Sequence, residues 1–305
     1  IGIFALSYLP FLAAFNESLI SYLELVWWAI LLGLVMGGFI DYFVPDGFIF
    51  KYLGRRKKLT ILNAALAGFL LSACSHGILA ISIQLYKKGA SIPAVITFLL
   101  ASPWANLPIT ILLFGFFGVK AFIFILAAIV IAIFTGFIFS LLQKLSLIEP
   151  SKDVENAETY HWDNFRNFNL SKSVKGVVRG TVNLANMVLW WIIIGFLVAA
   201  VIKTWVPHEF MMSYFGPDFI GLLLTLLVAT VIEICSEGSS PIAFEIYTTI
   251  GTLGNPFVFL MAGVVTDYTE IGLLWTNIGK RTAIWLPVVT VPQVLILGYL
   301  FNIFL

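Results

Sequence analysis

Cys74-Ser75-His76-Gly77 recurs 161 residues later (74 to 235) as Cys235-Ser236-Glu237-Gly238, and these two motifs hold the only cysteines in a chain of 305 residues. Each motif interrupts an otherwise apolar stretch with small, polar and ionisable residues. Two altered copies of one motif, set in two similar stretches, read as two halves of one site.

The flanks repeat as well. Val44, Pro45, Phe48, Tyr52 and Gly54 match Val206, Pro207, Phe210, Tyr214 and Gly216 at one constant spacing. Further on, Phe98-Leu99-Leu100-Ala101 overlies Phe259-Leu260-Met261-Ala262, which sets Asn106 opposite Asp267. Blocks that agree in order at nearly one spacing imply two copies of one unit. Composition says where the unit sits. The chain is 60% hydrophobic and 11% charged, with a mean hydropathy of +1.01, against a charged fraction of about 25% in soluble domains. An all-α integral membrane protein follows, since the apolar stretches suit spans of about 20 residues and lack the alternation of a membrane barrel. The net charge of +1 gives no footing for nucleic acid, and two cysteines make no disulfide framework.

The basic residues orient the copies. Arg55-Arg56-Lys57-Lys58, Lys87-Lys88 and the central run with Lys144, Lys152, Arg166, Lys172, Lys175 and Arg179 belong on the cytoplasmic side. They share that side only if the stretch from Leu59 to Tyr86 enters the membrane and returns, turning at Ser75-His76-Gly77. Each copy then has three transmembrane helices plus a re-entrant helical hairpin, and an odd number of crossings inverts the second copy. One helix per copy is expected to be discontinuous, at Pro103 to Pro108 and at Gly263 to Glu270, because proline removes helix hydrogen bonds and broken backbone at membrane depth must line protein or a watery cavity. The expected organisation is an unassigned apolar segment over 1–18, a first repeat over 19–145, a polar cytoplasmic connecting loop over 146–181, and an inverted second repeat over 182–305.

Inverted repeats with broken helices are a recurring plan of secondary transporters, the solute sitting between the copies. The expected solute site is Cys74, Ser75, His76, Asn106, Cys235, Ser236, Glu237 and Asp267. Glu233, Glu237, Asp267 and Glu270 are the candidates for proton or cation coupling, since carboxylates at membrane depth are costly and usually mark ion paths. Glu245 belongs to the same acidic set, or else lies near a water interface. Opposite Glu233, Glu237, Glu245 and Asp267 the first copy has Ser72, His76, Gln84 and Asn106, so the acid lies almost wholly in the second. Cys74, His76 and Cys235 would suit a soft cation, or the cysteines serve as small packing residues. Tryptophans and tyrosines are expected in interfacial belts.

Cys74-Ser75-His76-Gly77, Lys88-Gly89-Ala90-Ser91-Ile92-Pro93, Phe98-Leu99-Leu100-Ala101-Ser102-Pro103 and Glu233-Ile234-Cys235-Ser236-Glu237-Gly238-Ser239-Ser240-Pro241 together resemble a family of predicted permeases that includes organoarsenical efflux permeases. The resemblance spans roughly Leu19 to Leu305. It implies export across a prokaryotic cytoplasmic membrane of a small, thiol-reactive solute, a soft metal, metalloid or organoarsenical, with roles for Cys74 and Cys235. Many relatives carry a second Cys in the first motif, where this chain has His76. With no nucleotide-binding motif present, the expected function is a secondary-transporter-like permease without a cofactor. The partners are the bilayer, the solute and a coupling proton or cation. A channel, an intramembrane thiol enzyme and a membrane subunit serving a partner are the alternatives, and an enzyme gives no reason for an inverted duplication.

Overall fold

Pro10–Phe43 forms the first and one of the longest helices (α1), and most of the elements that follow it recur in order in the second half of the chain. The computed structural model describes residues 10–43, 58–70, 75–87, 89–105, 107–151, 170–232 and 236–305. After α1 come α2 (Lys58–Leu70), α3 (Ser75–Lys87), α4 (Ile92–Ala105), α5 (Leu107–Phe117), a short 3-10 turn, and α6 (Ala121–Lys144). The second half runs α7 (Leu170–Trp205), a short α8 (His208–Tyr214), α9 (Phe219–Ile232), α10 (Ser236–Ile250), α11 (Gly254–Val265), α12 (Tyr268–Asn277) and α13 (Lys280–Phe304). No strand occurs among the described residues.

Equivalent local chemistry starts and stops equivalent helices. α4 opens on Ile92-Pro93 and α11 on Gly254-Asn255-Pro256, with proline in a first turn whose N–H groups have no helical acceptor. Those N–H groups are taken up from elsewhere: Ile92 N–H donates to Ser151 Oγ at 3.0 Å and Gly254 N–H to Asn302 Oδ1 at 2.8 Å. The positive-φ glycines pair across the repeat: Gly89 (φ 92) with Gly251 (φ 80) after the second hairpin helix, and Gly118 (φ 56) with Gly279 (φ 154) before the last helix. A left-handed residue there ends one helix and re-aims the chain, a conformation that costs other residues about 1–2 kcal/mol.

Helix directions follow from contacts. Along α1 and α7, Phe15 stacks on Trp205, Tyr22 on Phe196, and Gly38 and Tyr42 meet Thr181 and Gly176, so the two run antiparallel. Close approach is possible because Gly38 and Gly176 lack a Cβ; one on Gly38 would lie 2.2 Å from Thr181 Oγ1. Glu149, just beyond the end of α6, accepts from the N–H groups of Arg281 and Thr282 at the start of α13, both at 2.9 Å. Lys120, at the other end of α6, donates to the Tyr247 hydroxyl near the end of α10. One end of the bundle thus gathers the start of α4, the end of α6 and the start of α13, while the other gathers the start of α6, the start of α11 and the end of α13.

The packing is inside-out by the standards of a soluble domain. Phe122, Leu126, Val130, Phe134 and Leu141 form an exposed apolar stripe on α6, as do Ile284, Val288, Ile296, Leu300 and Ile303 on α13. Ser102, Thr135, Thr225, Ser240, Asn255, Glu270 and Thr290 are buried instead. Such a belt seeks hydrocarbon. Among the described residues, Ile109–Lys144, Gly254–Asn277 and Lys280–Phe304 are long and apolar enough to cross a membrane.

Two sequence expectations are revised. Ser75, His76 and Gly77 are helical, within α3 and not at a reversal; residues 71–74 lie outside the described residues. The expected loop over 146–181 ends early, because α7 begins at Leu170. Residues 170–181 alternate basic residues facing solvent with Ser173, Gly176 and Thr181 facing α1, so polarity there marks an amphipathic helix end. α1 runs unbroken from Pro10 past residue 18.

Candidate functional site

α2 and α3 have 13 residues each, α9 has 14 and α10 has 15. Over their described residues they rise about 20–23 Å at 1.5 Å per residue, against a hydrocarbon core about 30 Å thick; residues 71–74 and 233–235, which adjoin them, lie outside the described residues. In the first copy α4 and α5 are separated by Asn106 alone, which lies outside the described residues; in the second, α11 gives way to α12 at Thr266-Asp267, where the expected discontinuity is present. Pro103 and Pro108 disfavour continuous helix in the first. In the second, Asp267 leaves helical geometry (φ −56, ψ 116) and its carboxylate accepts the Glu270 N–H at 2.9 Å. Asp267-Tyr268-Thr269-Glu270 has the spacing of a capping box, which gives Asp267 a structural duty as the N-cap of α12.

In each half a short helix packs on the next but one, α2 on α4 and α9 on α11. Thr230, near the end of α9, lies 2.6 Å hydroxyl to hydroxyl from Thr266, and each hydroxyl also lies within reach of a carbonyl of its own helix, Leu226 O or Ala262 O; with one hydrogen apiece, one hydroxyl donates to the other and the other donates to its helix. In the first copy the same approach is made without side chains, for a Cβ on Gly68 would sit 2.9 Å from Ser102 Oγ. Besides packing on α11 and α4 of their own copies, α10 also touches α5 of the first copy and α3 touches α12 of the second. Phe116 and Phe117 of α5 meet Phe244 of α10 at 5.2 and 5.7 Å, sealing that crossing with aromatic rings.

The sequence candidates divide accordingly. Ser236 (4% exposed), Asp267 (3%) and Glu270 (0%) are buried where α10 and α12 begin. Buried Ser239 and Ser240 line the same first turns of α10, with Ser240 Oγ donating to Ser236 O at 3.0 Å. Ser75 and His76 open α3 and Glu237 opens α10, so each stands by its backbone at a helix N-terminus, where N–H groups and the helix dipole favour negative charge. Cys74, Asn106, Glu233 and Cys235 lie outside the described residues, each directly beside a helix end. Among the described residues no group of three metal-ligating side chains occurs.

Two residues escaped the sequence reading. Trp104 is 2% exposed at the end of α4, and its indole N–H has no hydrogen-bond partner among the described residues. It therefore belongs to the interior and not to an interfacial belt, whereas Trp27 and Trp28 are exposed. Thr110, a turn into α5, likewise buries an unpaired hydroxyl. Their signal was position: both flank the Pro103–Pro108 interruption.

A family described as predicted permease matches residues 11–303. The UPF0718 protein YcgR of Bacillus subtilis is 26% identical over 259 residues, covering 83% of this chain and 84% of that protein. A Streptococcus mutans protein whose name describes a two-component membrane permease complex subunit is 25% identical over 271 residues, 88% of this chain and 87% of that one. The UPF0718 protein MJ0584 of Methanocaldococcus jannaschii is 38% identical over 80 residues, 26% of this chain and 22% of its own. No solved structure matches the chain significantly.

Proposed function

The chain belongs to this family of predicted permeases, and on that premise we propose that it is a multi-pass secondary transporter of a prokaryotic cytoplasmic membrane. Its solute site lies between two inverted copies, at the hairpin tips and the helix breaks. The observation that carries this reading is reciprocal packing: α10 of the second copy touches α5 of the first, and α3 of the first touches α12 of the second. Antiparallel α1 and α7, and the opposite ends at which α4 and α11 begin, support the inversion.

Alternating access needs a site whose two halves can separate in turn, and reciprocal hairpins provide it. One copy supplies soft and neutral groups, Cys74, Ser75, His76 and Asn106; the other supplies Cys235, Ser236 and the acids Glu233, Glu237, Asp267 and Glu270. The proposed cargo is a small soft solute, a metal, metalloid or organoarsenical, exported against entry of a proton or cation. Inverted vesicles bearing the protein, offered trivalent arsenicals and soft divalent metals, test this directly. Saturable uptake of one of them, reduced at least tenfold by Cys74→Ala or Cys235→Ala, is the expected result. Uptake unaffected by both substitutions would remove the thiols from the site.

The Streptococcus mutans relative favours a second reading, that the chain acts as one subunit of a two-part membrane complex. Transport by the purified chain alone in liposomes excludes it.

A further inference from the structure

The acids at the breaks are not the only carboxylates shut inside the bundle. Glu245 lies on α10 about two turns beyond Glu237, is 5% exposed, and plays no part in the solute site. The donors around it are hydroxyls, not cations. Tyr22 of α1, itself 2% exposed, donates to Oε2; Thr249 reaches Oε1 at 3.3 Å, and Thr248 reaches Oε2 at 3.4 Å while bonding its own helix at Glu245 O. Tyr22 is held from both sides, its ring parallel to Phe196 at 6.1 Å and beneath the Lys203 ammonium at 5.2 Å. Tyr22 comes from the first copy and Glu245 from the second copy's hairpin, so this one bond spans the junction along which the hairpin would move.

We propose that Glu245 is a proton-binding site and that its hydrogen bond to Tyr22 is a latch fastening hairpin helix α10 to α1. With the carboxylate ionised the Tyr22 bond is charge-assisted and roughly twice as strong as a neutral one. A proton from water converts it to the acid, leaving a neutral pair and a loosened α10.

The groups that face the site are few. Lys203 of α7 lies over the Tyr22 ring, and Tyr247 on α10 is engaged by Lys120. α8, which touches α10, carries exposed His208, Glu209 and Tyr214; α5 and α11 bring no ionisable residue. In the first copy the equivalent position is Gln84, an uncharged residue of the same shape, so the duplicated helix is compatible with an amide there.

In its transport consequence the latch rests on the permease reading, but the proton site is testable on the isolated protein without any solute. Wild-type, Glu245→Gln and Tyr22→Phe proteins in phosphatidylcholine nanodiscs are compared by infrared difference spectroscopy on acidification, and by amide exchange of residues 236–250. Wild type should gain a carboxylic-acid band with one component that Glu245→Gln lacks and Tyr22→Phe displaces. Exchange in α10 should rise about fivefold on acidification, the scale of one lost hydrogen bond, and Glu245→Gln should exchange fast at both pH values. A band identical in wild type and Glu245→Gln, a band unmoved by Tyr22→Phe, or pH-independent exchange in the wild type would each overturn the proposal. Should Glu245→Gln fold poorly, the Tyr22→Phe arm decides. Absence of transport with every solute tested would count against the permease mechanism and leave this result readable.

Discussion

Asp267 combines two duties that different substitutions separate. As an N-cap it needs only a side-chain oxygen, which Asn supplies nearly as well, whereas Ala forfeits about 1 kcal/mol. Asp267→Asn should therefore keep the thermal stability of the parent and Asp267→Ala should lose it, read by thermal unfolding in detergent. If Asp267 also couples a cation, both variants lose the pH dependence of transport. Loss in Ala alone would leave only the cap. Glu149 is the corresponding residue at the polar end of the bundle. Burial works to raise its carboxyl pKa, but the Thr282 hydroxyl and the Arg281 and Thr282 N–H groups outweigh it and hold the pKa below the usual carboxylate range. A lowered folded-state pKa means that Glu149 stabilises the fold above the unfolded value of about 4.3 and ceases to do so as pH falls through its own lower pKa. Glu149→Gln should free the start of α13, seen as faster exchange of residues 280–284 at neutral pH, with little difference from wild type once both are at strongly acidic pH. Persistently slow exchange in the variant would contradict the clasp.

At the scale of elements, glycine decides how closely helices meet. A Cβ on Gly176 would fall 2.1 Å from the Tyr42 ring, and one on Gly38 inside Thr181 and Val177. Gly38→Val should force α1 and α7 apart at a cost of about 1–3 kcal/mol, typical of overpacking. Gly272, on α12 with nothing within 4 Å of its added Cβ, is the control; Gly272→Ala should stabilise by up to about 1 kcal/mol through helix propensity. Equal effects of the two on thermal stability would contradict the crossing. The break between α11 and α12 was legible because a polar Thr266-Asp267 cannot sit comfortably in an apolar helix. The helical start of α7 was not, because exposed Lys172, Lys175 and Arg179 mask a face that becomes meaningful only once Gly176 is seen against Tyr42. Nor was the Tyr22–Glu245 bond, which joins residues far apart in sequence and depends on the antiparallel pairing of α1 with α7.

Taken as one molecule, the chain is an apolar-coated helical bundle whose polar residues turn inward, and most elements of its first half recur in order in the second. Composition alone predicts the first property and the spaced motifs predict the second. The inverted relation between the halves is what the Lys and Arg distribution leads one to expect. Everything proposed about alternating access depends on that relation. Its most direct test uses Val119 and Lys280, equivalent positions at the starts of α6 and α13 that sit at opposite ends of the bundle. With Cys74 and Cys235 first replaced by Ala, single cysteines at Val119→Cys and Lys280→Cys are challenged with a membrane-impermeant maleimide from either side of sealed vesicles. Inverted copies require the label to reach Cys at 119 from one side and Cys at 280 only from the other. Labelling of both from the same side would contradict the inversion and the transport mechanism built on it.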